Sequence, residues 1–280
     1  MVRHYKSAMR LTWEEPSRPT FKNGVLARVL SLGGTLLILV GLLIALRNHL
    51  SIHAYRNLSR RVYVPISDSL AAAASNDDAA QERTIDWQSL WEINGDVAAW
   101  VRLEGTGIDL PVMRATQDDP EHYLSHDLWN RLAFEGIPFM DRRCKADGAH
   151  RLVYGHNLSM GGQFSELQRA YEQEVFDALG ACHWDTPARG GTTLVPLCAL
   201  KVDLWYEPIQ TFSFEGEQGL RQWLAPLVHD AEARAEGHEH LLEHASSAIT
   251  LVTCSSNLGN QRWRTMVVFV EQEGGQMGGV

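Results

Sequence analysis

The sequence predicts a mainly β domain, a barrel-like sheet with helices at its periphery, behind one apolar helix near the N-terminus. Three observations carry that expectation. Short apolar or alternating runs recur at close spacing and are bounded by Gly, Pro, Asn and Asp, as strands are. Helical patterns interrupt these runs only in the longer connections, which argues against alternating βαβ units. One uncharged stretch, "VLSLGGTLLILVGLLIAL" (29–46), stands apart from everything else in the chain.

That apolar run has 18 residues and is bracketed by Arg28 and Arg47. It is near the lower length limit for crossing a hydrocarbon core about 30 Å thick. Residues 1–47 hold seven Lys/Arg and two acids, which leaves 18 basic and 32 acidic residues beyond and a charge of −14 on the remainder. The positive-inside rule then keeps the N-terminus cytoplasmic and puts all that follows Arg47 outside. A basic leader of 28 residues is long for a signal peptide, and no clear A-x-A site follows the run, so an uncleaved anchor is expected. The acidic outer part excludes a nucleic-acid partner, which would require a basic patch.

Residues 47–80 include "SLAAAASNDDAAQE" and read as a stalk; a domain is expected over 81–272 and a flexible tail over 273–280. "TIDWQSLWEING" is a helix with Thr84 as N-cap and Asn94-Gly95 as its stop. "AAWVRLEGTGIDLPVM" reads as strand, Gly-Thr-Gly turn, strand. "GIPFMD", "HRLVYGH", "TTLVPLCALKVDLWY", "AITLVTC" and "RTMVVFVE" are further strands. Helices are expected over 164–179 and within the stretch 215–244.

The chemistry concentrates at two strand ends. Cys254 closes "ITLVTC", and Arg262 and Arg264 open the next strand after the seven-residue turn "SSNLGNQ". Adjacent antiparallel strands would bring a guanidinium to face the thiol, where it could stabilise an oxyanion formed by attack of sulfur on a carbonyl. A base is needed as well. "RLVYGHNLSMGGQF" (151–164) supplies His156 at another strand end, with Gly155 allowing close backbone approach. His122 and His126 read as surface residues. "HLLEH" (240–244) fits an H-x-x-E-H zinc-peptidase pattern, but its acidic setting and the lack of a downstream glutamate ligand favour a solvated helix end. Cys144, Cys182 and Cys198 form no CxxC pair; Cys198 reads as a small core residue, and disulfide pairing stays open.

These residues resemble the sortases, membrane-anchored cysteine transpeptidases of Gram-positive cell envelopes. "TLVTC" (250–254) matches the family's T-L-x-T-C signature and "YGHN" (154–157) the stretch around its histidine, in the order His, Cys, Arg. From about Trp87 to Glu271 the resemblance is to class B, through "INGDVAAWVRLEGTGIDLPVM", "HYLSHD", "GIPFMD", "GGQFSEL" and the helix-rich insertion 215–246. It implies an eight-stranded β-barrel. It also implies that Cys254 attacks a threonine carbonyl in a sorting signal, that His156 shuttles the proton, and that an arginine holds the oxyanion. Arg264, which runs into "TMVVFV", is favoured over Arg262; Thr253, Ser255 and Asn157 are candidate substrate contacts. The implied partners are surface proteins or pilins bearing a sorting signal, a peptidoglycan precursor or pilin amine as acceptor, and the membrane through 29–46, with no cofactor and no metal. An extracytoplasmic cysteine peptidase that hydrolyses the same kind of peptide, or a non-catalytic surface scaffold on the same fold, are the alternatives.

Overall fold

The computed structural model describes residues 24–65, 83–159, 161–256 and 262–272. Most of the expected cytoplasmic segment, much of the stalk, the tail and the centre of the "SSNLGNQ" turn lie outside the described residues. The chain divides into two compact units, 1–47 and 48–280. Helix α1 (Gly24–Val62) contains the apolar run, whose Leu, Ile and Val side chains are exposed. By length and composition it is able to cross a bilayer.

The second unit begins earlier than the boundary at residue 81. Tyr55, Leu58 and Val62 of α1 are buried in one cluster with Leu90, Trp100 and Leu128, so this part of the expected stalk belongs to the domain. Strands β1 (Tyr63–Pro65) and β2 (Arg83–Ile85) form a small antiparallel ribbon. Helix α2 (Trp87–Ile93) starts two residues later than a Thr84 cap would require, because Asp86 accepts from the Ser89 backbone N–H at 3.1 Å and Thr84 is in β2. Asn94 ends α2, as expected, with its N–H on Leu90 O.

Eight strands close into the barrel: β3 (Val97–Leu103), β4 (Asp109–Arg114), β5 (Phe139–Met140), β6 (His150–Tyr154), β7 (Cys182–Thr186), β8 (Gly190–Asp203), and two more. Helix α3 (Gln173–Phe176) precedes β7; α4 (Gly216–Asp230), the two-residue β9 (Ala233–Arg234) and α5 (His238–Glu243) follow β8. The last barrel strands are β10 (Ala245–Cys254) and β11 (Trp263–Gln272). Spatial order is β11-β10-β6-β5-β4-β3-β7-β8, and pairing of β8 with β11 closes the ring, while β9 adds only to the edge of β8. Closure leaves these strands no open edge. Pro196 is accommodated in β8 by a register shift opposite Val268 and Phe269, a bulge of the sort proline needs inside a sheet.

Two expected helices break. The 164–179 stretch forms a single turn at Ser165–Leu167 and the short α3, because Phe164, Leu167, Ala170 and Phe176 are all drawn into the barrel core and one straight helix cannot point them there. The 215–244 stretch ends its first helix at Asp230 so that Ala233 and Arg234 can pair with β8. Strand β7, absent from the expected set, alternates buried Cys182, Trp184 and Thr186 with half-exposed His183 and Asp185.

The strands that carry the site are buried on both faces, which explains why "AITLVTC" and "TMVVFV" read as continuous apolar runs. Ile249, Leu251, Val267 and Phe269 point into the barrel. Thr250, Val252, Met266 and Val268 lie on the other face, where Leu220, Leu224 and Leu227 of α4 join Val252, Met266 and Val268 in one apolar cluster. Each fully buried Leu or Val contributes roughly 1.5–3 kcal/mol, so this helix-covered face is a substantial part of the stability.

Candidate active site

The α4-side face of β6, β10, β11 and β8 is ordered in rows by the ladder register. Leu152, Thr250, Val268 and Cys198 form one row, and Tyr154, Val252, Met266 and Leu200 the next. The following row reads Cys254, Arg264 and Val202. On the β6 side the Gly155 N–H donates to Val252 O at 3.0 Å and Asn157 Nδ2 to Cys254 O at 2.9 Å, so the short segment that carries His156 runs along the end of β10. Cys254 and Arg264 thus stand at the end of a face that is mostly apolar.

Cys254 and Arg264 are direct partners. The Ser255 N–H donates to Trp263 O at 3.1 Å, so the Cys254/Arg264 pair is of the non-hydrogen-bonded kind. In such pairs the Cα atoms are about 4.5 Å apart and the side chains stand closest. Arg264 is half-buried. Arg262 is exposed, and its guanidinium is engaged by Asp203, whose carboxyl that hydrogen bond holds below the usual range. The register makes Arg264, rather than Arg262, the cross-strand partner of Cys254.

His156 is half-buried, and its Nε2 lies 2.9 Å from Leu124 O. A carbonyl only accepts, so Nε2 carries the proton and Nδ1 is the nitrogen left to exchange one. Gly155 is required beside it, because a Cβ there would meet the ring of buried Phe164 at 2.5 Å.

The three candidate substrate contacts are distributed differently from what was expected. Thr253 and Ser255 alternate with Cys254 along the strand and so face away from the thiol. Thr253 is 2 % exposed, and Ser255 Oγ pairs with Thr265 Oγ1 at 2.9 Å. Asn157 does reach the site, but as a brace: its Nδ2 donates to Cys254 O at 2.9 Å and to Gln168 Oε1 at 3.1 Å. Strand alternation was the signal that could have removed Thr253 and Ser255.

All four cysteines are free thiols. Burial pushes Cys144, Cys182 and Cys198 up to about 12, which leaves them protonated at neutral pH. Cys198 is a fully buried core residue, as expected. His122 and His126 stack ring on ring at 3.9 Å, and His240 and His244 stack at 4.3 Å within and just after α5. Among the described residues no three His, Cys, Asp or Glu side chains gather closely enough to hold a metal.

No protein-family model matches the chain. Sortase B of Listeria monocytogenes is 25% identical over 186 residues, covering 64% of this chain and 71% of that protein. The chain resembles class B sortases in sequence and in fold. A Staphylococcus aureus sortase B–substrate complex superposes with a TM-score of 0.60 at 20% identity, over 81% of this chain and 99% of that one. A sortase B complexed with triglycine gives a TM-score of 0.60 at 20% identity, over 80% and 97%. The eight-stranded barrel of this chain, with its helices peripheral, matches the fold of these sortase structures.

Proposed function

We propose that the chain is a sortase-type cysteine transpeptidase, with Cys254 as nucleophile, His156 as acid and base, and Arg264 as oxyanion holder. One observation carries the assignment: Cys254 and Arg264 are cross-strand partners, and the segment 155–157 that carries His156 is hydrogen-bonded to β10 at Val252 and Cys254. Cys254 attacks, as thiolate, the carbonyl carbon of a threonine in the sorting signal of a surface protein or pilin. Arg264 stabilises the resulting oxyanion electrostatically. As the C–N bond breaks, His156 gives its Nδ1 proton to the departing amine, leaving a thioester on Cys254. An acceptor amine, from a peptidoglycan precursor or a pilin lysine, then attacks the thioester; Nδ1 takes its proton and the thiolate departs as the new amide forms. The related proteins solved with a substrate and with triglycine support donor and acceptor of this kind.

The apolar run supports an anchor that holds the enzyme at the cell membrane, single-pass, with the N-terminus cytoplasmic and the barrel extracellular. The test uses the full chain in detergent with a panel of threonine-containing sorting peptides and an amine acceptor, products being followed by mass spectrometry. A peptide cleaved after Thr and joined to the acceptor, lost in Cys254→Ala, His156→Ala and Arg264→Ala but kept in Arg262→Ala, is expected. Hydrolysis without joining would make the protein a peptidase, and turnover by Cys254→Ala would end the cysteine mechanism.

A further inference from the structure

Gln163 is one of two non-glycine residues with a left-handed backbone among the described residues, at φ 50°. It is also 8 % exposed. Glycine would adopt this conformation without strain, so a glutamine here points to a use for its side chain. That side chain makes one hydrogen bond, from Nε2 to Gly136 O at 3.0 Å, inside the protein.

Gly136 in turn rests against the carbonyl that orients the imidazole. At φ 51°, a Cβ on Gly136 would lie 2.4 Å from Tyr123 O and 2.8 Å from Leu124 O. The Ile137 N–H donates to Tyr123 O at 3.0 Å and pins the two segments together. Leu124 O is the acceptor for His156 Nε2. The path returns through the Phe164 N–H to His156 O at 3.0 Å and through the bridge between Asn157 and Gln163. A closed circuit therefore runs from the ring, through Leu124, Gly136 and Gln163, back to the backbone of His156.

We propose that Gln163 is a positioning residue for His156, acting through Gly136 and the Leu124 carbonyl to keep the proton on Nε2 and Nδ1 turned to the thiol. This rests on the transpeptidase reading for its catalytic consequence, but not for its structural content. Without the Gln163 bond the 124–136 pair is released on one side, the carbonyl shifts, and the two neutral tautomers of His156 mix.

The test is nitrogen NMR of the full chain in detergent with labelled histidine, at a pH where the ring is neutral and with His156→Gln as assignment control. Two variants are compared with wild type. Gln163→Gly removes the bond while relieving the backbone, so its melting temperature guards against simple unfolding. Gln163→Glu keeps the length, but its carboxylate cannot donate to Gly136 O. Wild type is expected to show the Nε2–H tautomer and both variants a mixture, with turnover down about ten- to a hundredfold at nearly unchanged KM. Retention of the wild-type tautomer in both folded variants, or a mixture in wild type itself, would overturn the proposal. If wild type failed to join peptide to amine, the transpeptidase reading would fall while the tautomer comparison still decided the role of Gln163.

Discussion

His150 and Cys198 share a face of the sheet with His156 and Cys254, yet the two pairs have opposite properties. His150 is packed against Phe212 and Trp223, with its Nδ1 on Thr211 O and its Nε2 on Thr250 Oγ1. Cys198 is buried in the cluster that includes α4. At the strand ends the same residue types are half-buried. The face is common to both; the cover is what differs.

The largest contrast is expected in thiol alkylation. At pH 8 a thiol pushed up to about 12 is roughly one part in 10⁴ thiolate, so buried Cys198 and Cys182 should stay essentially unlabelled while half-buried Cys254 is alkylated. Peptide mapping after iodoacetamide checks this, and comparable labelling of Cys198 in the folded protein would show that the cover is open. Next in size are the arginines. Arg264→Ala should lower kcat by about 10²–10³, the usual cost of an oxyanion donor, whereas Arg262→Ala, remote from the thiol's row, should stay within about threefold. Kinetics on the two variants decide it, and the reverse order would shift the oxyanion role to Arg262, just ahead of the strand.

The smallest effect concerns His150, which burial pushes down to about 4 from an ordinary 6.5. The unfolded chain binds the proton more readily, so this histidine's contribution is full above pH 6.5 and is lost as pH falls toward 4, about 3 kcal/mol in all. Urea titrations of wild type and His150→Gln across that window should show the steeper acid loss in wild type. Equal slopes would mean that His150 is hydrated in the folded state.

Much of the fold could be read because burial on both faces leaves long apolar runs, as in "AITLVTC" and "TMVVFV". The positions of Cys254 and Arg264 were readable for the same reason: two strands joined by a short turn fix their own register. β7 went unseen because its five residues alternate with polar ones and one-sided burial leaves a weak signal. The 164–179 helix was misread because its apolar spacing serves a folded-back path into the core. The support of His156 was beyond sequence reasoning, since Leu124, Gly136 and Gln163 meet only through tertiary contacts.

The topology also bears on when the proposed site is assembled. β6 and β10 are parallel neighbours, although nearly a hundred residues of chain separate them. Pairings of such long range form late, because loop closure must be met before any contact is gained. The strand end that carries the thiol therefore has no β6 neighbour until β10 is inserted between β6 and β11. Under the proposed mechanism a chain arrested short of that step would carry the cysteine without its paired strands, and activity would report the completion of the barrel.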